Sequence, residues 1–263
     1  MFGVLRKWRR NRVLRNSHLD DRLWQQVAGR FGFVLRLDDT ETTRLRELCV
    51  LLLHEKQFSA VGDFALDDAM KLGIAIQACI LILNLDLDYY RNWIEIIVYP
   101  DEFVPRQEFR NEHGLVETDH RAFAGQAWLR GPVILSWANV QSAWTGGDGN
   151  VVIHEFAHKL DMLTGSANGF PHLHRNMKRE QWSRIFTEAY RDFCAKVRAG
   201  EALGFTAYAG ESPAEFFAVV SESFFEIPDV LNEIYPSVYA QLVLYYRQNP
   251  LAEASPPERG TNQ

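Results

Sequence analysis

Val151-Val152-Ile153-His154-Glu155-Phe156-Ala157-His158-Lys159-Leu160-Asp161 is the stretch from which the rest of the chain can be read. His154 and His158 stand four apart, so on a helix they share a face and can address one ion. Glu155 projects about 100° round from His154, within reach of a water at that ion. Two neutral imidazoles suit zinc, and a neighbouring carboxylate suits a general base for hydrolysis. His-Glu-x-x-His can arise by chance, but here it is set among Val151, Val152, Ile153, Phe156 and Leu160. Such a helix is expected to be buried, where three polar side chains are costly unless they serve something.

The flanks fit a helix entered from a turn. Gly146-Gly147-Asp148-Gly149-Asn150 offers Asp148 or Asn150 as N-cap. No Gly-Lys-Ser/Thr follows, so a phosphate loop is not indicated. The helix should run to about Leu163 and stop at Gly165. Upstream, Trp93 to Tyr99 reads as a strand ended by Pro100, and Phe123–Trp128 and Pro132–Trp137 as two more. The polar stretch 101–121 holds His113 and His120, and the loop after the motif holds His172 and His174. None of the four is expected to bind metal. Downstream, helices are expected over Met177–Ala199, from Ser212-Pro213 through Phe225, and over about Asp229–Gln248.

Before the strands, residues 40–60 and the run from Asp67-Asp68 to Leu85 read as helices of a packing layer; His54 lies on the first and has no partner at ligand spacing. Leu72–Leu85 is too short to span a bilayer. Residues 1–25 mix Phe2, Val4, Leu5, Trp8, Val13 and Leu14 with Arg6, Lys7, Arg9, Arg10, Arg12 and Arg15. An arm touching a membrane or an acidic partner is one reading. The short length and irregular apolar spacing favour a helix with a solvated charged face. The expected architecture is therefore α+β: residues 1–90 a helical region packed on the core, 91–249 a core with a small mixed sheet before the His-Glu-x-x-His helix, and 250–263 a disordered tail.

Composition narrows the class. Hydrophobic content of 47% and charged content of 24% are those of a globular protein, and a net charge of −6 argues against general nucleic-acid binding. Cys49, Cys79 and Cys194 are scattered and odd in number, which suits reduced thiols in a cytoplasmic protein. No secretory signal is visible.

Two histidines do not complete a catalytic zinc site, which normally takes three protein ligands and a water. A metzincin third histidine is excluded because Thr164 occupies its position. A carboxylate on a later helix remains: Glu180, Glu188, Glu215, Glu222 or Glu226. Glu215 and Glu222 are seven apart on one face of an apolar helix, where a carboxylate needs a cation or donors. Glu215 also fits a capping box with Ser212. Residue chemistry alone leaves Glu215 and Glu222 evenly matched as ligand, with the other holding a histidine. Asp161, three residues beyond His158 on the same helix, is the foremost candidate to orient a histidine, with a solvated acid at the helix end as the competing reading; Glu222 is a candidate for a similar part.

His154-Glu155-Phe156-Ala157-His158-Lys159-Leu160-Asp161 together with Glu211-Ser212-Pro213-Ala214-Glu215-Phe216-Phe217-Ala218 resembles the Mlc titration factor family of bacterial proteins. The resemblance implies a gluzincin-type zinc peptidase with a zincin-like core, similar to the anthrax lethal factor protease domain. It implies one Zn²⁺ held by His154, His158 and Glu215, Glu155 as general base, Tyr208 as an assisting catalytic residue, and aminopeptidase-like activity on peptides. It further implies binding and sequestration of an Mlc-type glucose repressor, and so regulation of sugar-uptake genes of the phosphotransferase system, with no direct nucleic-acid contact. Repressor binding as the main role, with accessory or partner-triggered peptidase activity, is the alternative. A structural zinc site would need a fourth ligand, and none stands out. Val133–Trp137 could pair with an extended peptide or be internal to the sheet.

Overall fold

A computed structural model describes residues 2–100, 108–110, 116–118, 131–144, 149–201 and 204–252. The expected strand at Phe123–Trp128, His113, His120 and most of the tail lie outside these residues. The order is α1 (Phe2–Asn16), α2 (Asp21–Ala28), α3 (Gly32–Leu35), α4 (Asp39–Glu55), β1 (Gln57–Ala60), α5 (Asp68–Ile80), β2 (Glu95–Tyr99), β3 (Glu108–Arg110), β4 (Val116–Thr118), β5 (Val133–Ser136), α6 (Trp137–Trp144), α7 (Val151–Asp161), α8 (Arg179–Ala199), α9 (Pro213–Glu226), α10 (Pro228–Ile234) and α11 (Pro236–Tyr246). The class is α+β and mostly helical, as expected.

The central sheet has the order β1-β2-β5 and is parallel throughout; β3 and β4 form a separate antiparallel pair. Among the described residues the expected mixed sheet is a parallel one, and the antiparallel pair β3–β4 stands apart from it. Phe58 pairs in register with Ile96, and Ile96 with Val133. β1 lies within the first ninety residues, so that region is not wholly helical and shares a sheet with β2 and β5 of the core. Gln57-Phe58-Ser59-Ala60 has neither the length nor the alternation that marks a strand, and its pairing with β2 decides its conformation. α6 likewise has no clear signal in the sequence; it begins directly after β5.

Helix boundaries follow local chemistry. Asp38 caps α4 in a full capping box with Glu41, Asp67 caps α5, and Asn150 caps α7 by accepting from the Ile153 N–H. α8 ends at Gly200 in the left-handed conformation. The expected single last helix is two. Pro236 has no N–H to donate and disfavours helical backbone at Tyr235, so the chain breaks there between α10 and α11.

α5 is buried on every side, from Leu72 to Ile80. Gly73 lets it approach α6: a Cβ there would fall 1.9 Å from the Trp144 ring. α7 packs on α5 and along α9, with Val152, Ile153, Phe156, Ala157 and Leu160 fully buried. The Phe156 ring meets Tyr90 and Trp93 edge-on at 5.1 and 5.5 Å. Burying a side chain of that size contributes about 2–3 kcal/mol. Lys159 is buried beside them and donates to the carbonyls of Gly131 and Pro132, tying α7 to the entry of β5. α7 is therefore fixed on its apolar face by the core and on its flank by the sheet, with His154 and His158 aimed at α9. No helix among the described residues is long and apolar enough to cross a membrane.

Candidate metal centre

α7 and α9 lie against each other, and the polar groups of each meet at one place. His154 Nε2 lies 2.9 Å from Glu215 Oε2, and His158 Nε2 lies 3.1 Å from His154 Nε2 and 3.3 Å from Glu215 Oε2. These three ligand atoms are the group among the described residues placed to hold a metal ion. Glu215 sits in the first turn of α9, where Ser212 caps its backbone N–H at 3.2 Å. Half of the capping box is therefore formed, and the Glu215 carboxylate turns to the histidines instead of back to Ser212.

His154 is gripped from behind. Its Nδ1 is 2.6 Å from Glu222 Oε1, and Glu222 Oε2 accepts the Asn150 backbone N–H at 2.6 Å. An ionised carboxylate can only accept, so the Glu222 contact places a proton on Nδ1 and leaves Nε2 with its lone pair. That lone pair then faces the Glu215 oxygen and the second imidazole, an arrangement that demands a proton or a cation between them. Without a metal a proton serves. Burial pulls the His154 pKa down, but the hydrogen bonds to Glu215 and Glu222 outweigh it and push it up to about 10. Glu215 is driven well below the ordinary carboxylate range: burial opposes this, and the two histidines prevail. Two imidazole nitrogens and a carboxylate oxygen converge as a donor set that can hold a metal ion.

Tyr208, on the turn before α9, has its ring 5.9 Å from that of His154 and is 45% exposed. Burial, then the charges of Glu215 and Glu211, raise its pKa, so its hydroxyl stays protonated at neutral pH. Glu155 is half-buried, and its charge acts on His154, Lys159 and Tyr208. The structure thus brings together His154, Glu155, His158, Tyr208, Glu215 and Glu222.

Asp161 is buried, and the His158 charge acts on it. Its Oδ2 accepts the backbone N–H groups of Asn168 at 2.8 Å and Gly169 at 2.7 Å, holding the loop after α7. Its Oδ1 and His158 Nδ1 are both buried without a hydrogen-bond partner among the described residues. The carboxylate that orients a histidine by a direct hydrogen bond is Glu222. Gly169 is bound to this arrangement: its φ is +76°, a Cβ would fall 2.5 Å from the Pro213 carbonyl oxygen, and its own carbonyl accepts from the buried Trp182 indole.

The other carboxylate candidates are used elsewhere. Glu226 accepts from the Asn150 side-chain amide at 2.6 Å, Glu188 pairs with Arg184, and Glu180 is exposed on α8. His54 and His172 are exposed, and His174 Nε2 is 2.7 Å from the Tyr245 carbonyl oxygen. In sequence Asn150 reads only as a cap. Its backbone hold on Glu222, 72 residues away, carries no local signal and emerges only from the packing of α7 on α9.

The side chains gathered here form a candidate metal site between two packed helices. Residues 5–247 match the family described as glucose-regulated metallo-peptidase M90, and the chain belongs to that family. A protein of Synechocystis named only as uncharacterised is 36% identical over 233 residues, covering 87% of this chain and 84% of its own. Mlc titration factor A of Salmonella gallinarum is 32% identical over 247 residues, covering 92% and 91%, and that of Escherichia coli 30% identical over 243 residues, covering 91% of each. The resemblance drawn from the two helical segments therefore extends over nearly the whole chain.

Proposed function

We propose that this protein is a zinc-dependent peptidase of the gluzincin type with a zincin-like core. The observation that carries the reading is the convergence of His154 Nε2, His158 Nε2 and Glu215 Oε2 beside Glu155. Membership of a metallopeptidase family supports it. Zinc held there supplies a Lewis acid and lowers the pKa of water toward ~7. Glu222, braced by the Asn150 N–H, keeps the His154 ring turned with Nε2 inward. Glu155 accepts the proton of the attacking water and delivers it to the leaving amine. The protonated Tyr208 hydroxyl donates a hydrogen bond to the carbonyl oxygen as charge gathers there. Small peptides cleaved from the amino end are the substrate class the resemblance implies, and the cytoplasm, where Cys49, Cys79 and Cys194 stay free thiols, is the expected compartment.

The test is metal content and hydrolysis of a peptide panel by the full chain and its variants. Glu155→Gln is expected to retain about one zinc and to lose hydrolysis; an active Glu155→Gln protein would sink the general-base role. Glu215→Ala is expected to lose zinc. Full zinc there, with loss in Glu222→Ala, would reverse the two glutamates.

The relatives' name supports a second activity, the binding and sequestration of an Mlc-type repressor and through it control of sugar-uptake genes. Pull-down of such a repressor by Glu155→Gln separates the two: retained binding makes sequestration independent of hydrolysis, and lost binding ties it to the catalytic carboxylate.

A further inference from the structure

α1 presents two different faces, which accounts for its irregular apolar spacing. At about 100° per residue, Arg6, Arg10, Val13 and Leu14 fall on one side of the helix and Val4, Leu5, Trp8, Arg9, Arg12 and Arg15 on the other. The first side is fastened to the body. Arg10 bonds Glu55 at 2.8 Å, Asp86 at 3.2 Å and Asp88 at 2.9 Å, Arg6 reaches Asp88 at 3.2 Å, and Val13 and Leu14 pack on the core. These ties fix the rotation of the helix and so decide what the second side shows. That side exposes Val4 (76%), Leu5 (60%) and Trp8 (62%), with the Arg12 guanidinium 5.9 Å from the Trp8 ring. No ion pair involves Lys7, Arg9, Arg12 or Arg15 among the described residues.

Charge is divided in the same way. Six of the 28 Lys and Arg residues and none of the 34 Asp and Glu residues lie in residues 1–16, so this segment carries +6 and the remainder −12. An anionic surface attracts the helix and repels the rest of the molecule. That division orients the molecule as well as attracting it. Aromatic and aliphatic side chains interleaved with arginines suit the boundary between headgroups and acyl chains, where the rings and methyls enter the apolar layer and the guanidiniums remain among phosphates. Nucleic acid would engage the arginines but gives Val4 and Leu5 no apolar layer to enter.

We propose that the outward face of α1 docks the protein on an anionic lipid surface, peripherally and without spanning it. The experiment is sedimentation of the full chain with phosphatidylcholine vesicles containing 40 mol% phosphatidylglycerol, alongside pure phosphatidylcholine vesicles and a 20-nucleotide single-stranded DNA. The expected result is binding to the anionic vesicles, at least tenfold weaker binding to neutral ones, and weakening with salt. Each basic residue near such a surface contributes roughly fivefold, so Arg9→Glu/Arg12→Glu/Arg15→Glu is expected to bind at least about 100-fold more weakly. Leu5→Ala/Trp8→Ala is expected to lose at least about tenfold, since it removes the inserted groups. Both variants change exposed positions, and circular dichroism of each should match the parent. Failure of the parent to prefer anionic vesicles would overturn the proposal. So would full binding by Leu5→Ala/Trp8→Ala, or retention by DNA but not by vesicles.

Discussion

Replacing Glu222 by Ala removes one carboxylate that serves two buried donors, His154 Nδ1 at 2.6 Å and the Asn150 backbone N–H at 2.6 Å. Glu222 is itself 9% exposed, so water has little access to replace it. Each donor left unsatisfied costs about 1–3 kcal/mol, which sums to about 2–6 kcal/mol. That is a large part of a typical stability of about 5–15 kcal/mol. The same change frees the His154 ring to rotate, and loss of a group that orients a metal-binding histidine lowers metal affinity about 10–100-fold. Glu215→Ala differs in kind, because it removes a ligand. Urea unfolding of the metal-free protein reads the first quantity, as a fall in the midpoint with unchanged slope. Competition with a zinc chelator reads the second. The reasoning is refuted if Glu222→Ala keeps both its unfolding midpoint and its zinc affinity, since two close contacts would then carry no free energy.

Metal binding should release a proton. In the metal-free protein the His154 pKa stands at about 10, so below that pH zinc must displace a proton from it. Apparent zinc affinity is expected to rise about tenfold per pH unit between pH 6.5 and 8, and calorimetry in buffers of different ionisation enthalpy would reveal about one proton released; a flat profile would contradict it. The sign for stability is the opposite. A raised histidine pKa stabilises the metal-free fold fully below the unfolded value near 6.5, and that contribution is lost as pH rises toward about 10. Gly169→Ala forces a side chain into a φ of +76° and against the Pro213 carbonyl. We expect it to destabilise by roughly 2–4 kcal/mol in urea unfolding, from left-handed strain and overpacking together. An unperturbed midpoint would show that the loop between α7 and α8 can move away at no cost.

Much of this arrangement was legible because the decisive helices carry their own signals. α7 announces itself by two histidines in an apolar setting, α8 by its stripe from Trp182 to Phe193, and α9 by Ser212-Pro213 at its entry. What was not legible depends on distant partners. β1 is a strand because β2 lies beside it. Pro236 was legible in principle, since a proline within an apolar periodic run marks a helix end, and its effect divides α10 from α11. The choice between Asp161 and Glu222 as the group behind a histidine could not be made from spacing. Asp161 shares a helix with His158 and gives one oxygen to the backbone of Asn168 and Gly169, whereas Glu222 reaches His154 from another helix by a direct hydrogen bond. The outward face of α1 was obscured for a similar reason. Its apolar residues serve two sides, and only the ion pairs of Arg10 show which side is which.

The central claim is that His154, His158 and Glu215 together hold the metal on which hydrolysis depends. The most direct test is an anomalous difference map, recorded at the zinc edge, from crystals of the full chain grown with one equivalent of zinc. The account predicts a single strong peak about 2.0–2.2 Å from His154 Nε2, His158 Nε2 and a Glu215 carboxylate oxygen, with Glu222 still on His154 Nδ1. A peak ligated by Glu222 in place of Glu215, or no peak between α7 and α9, would contradict it.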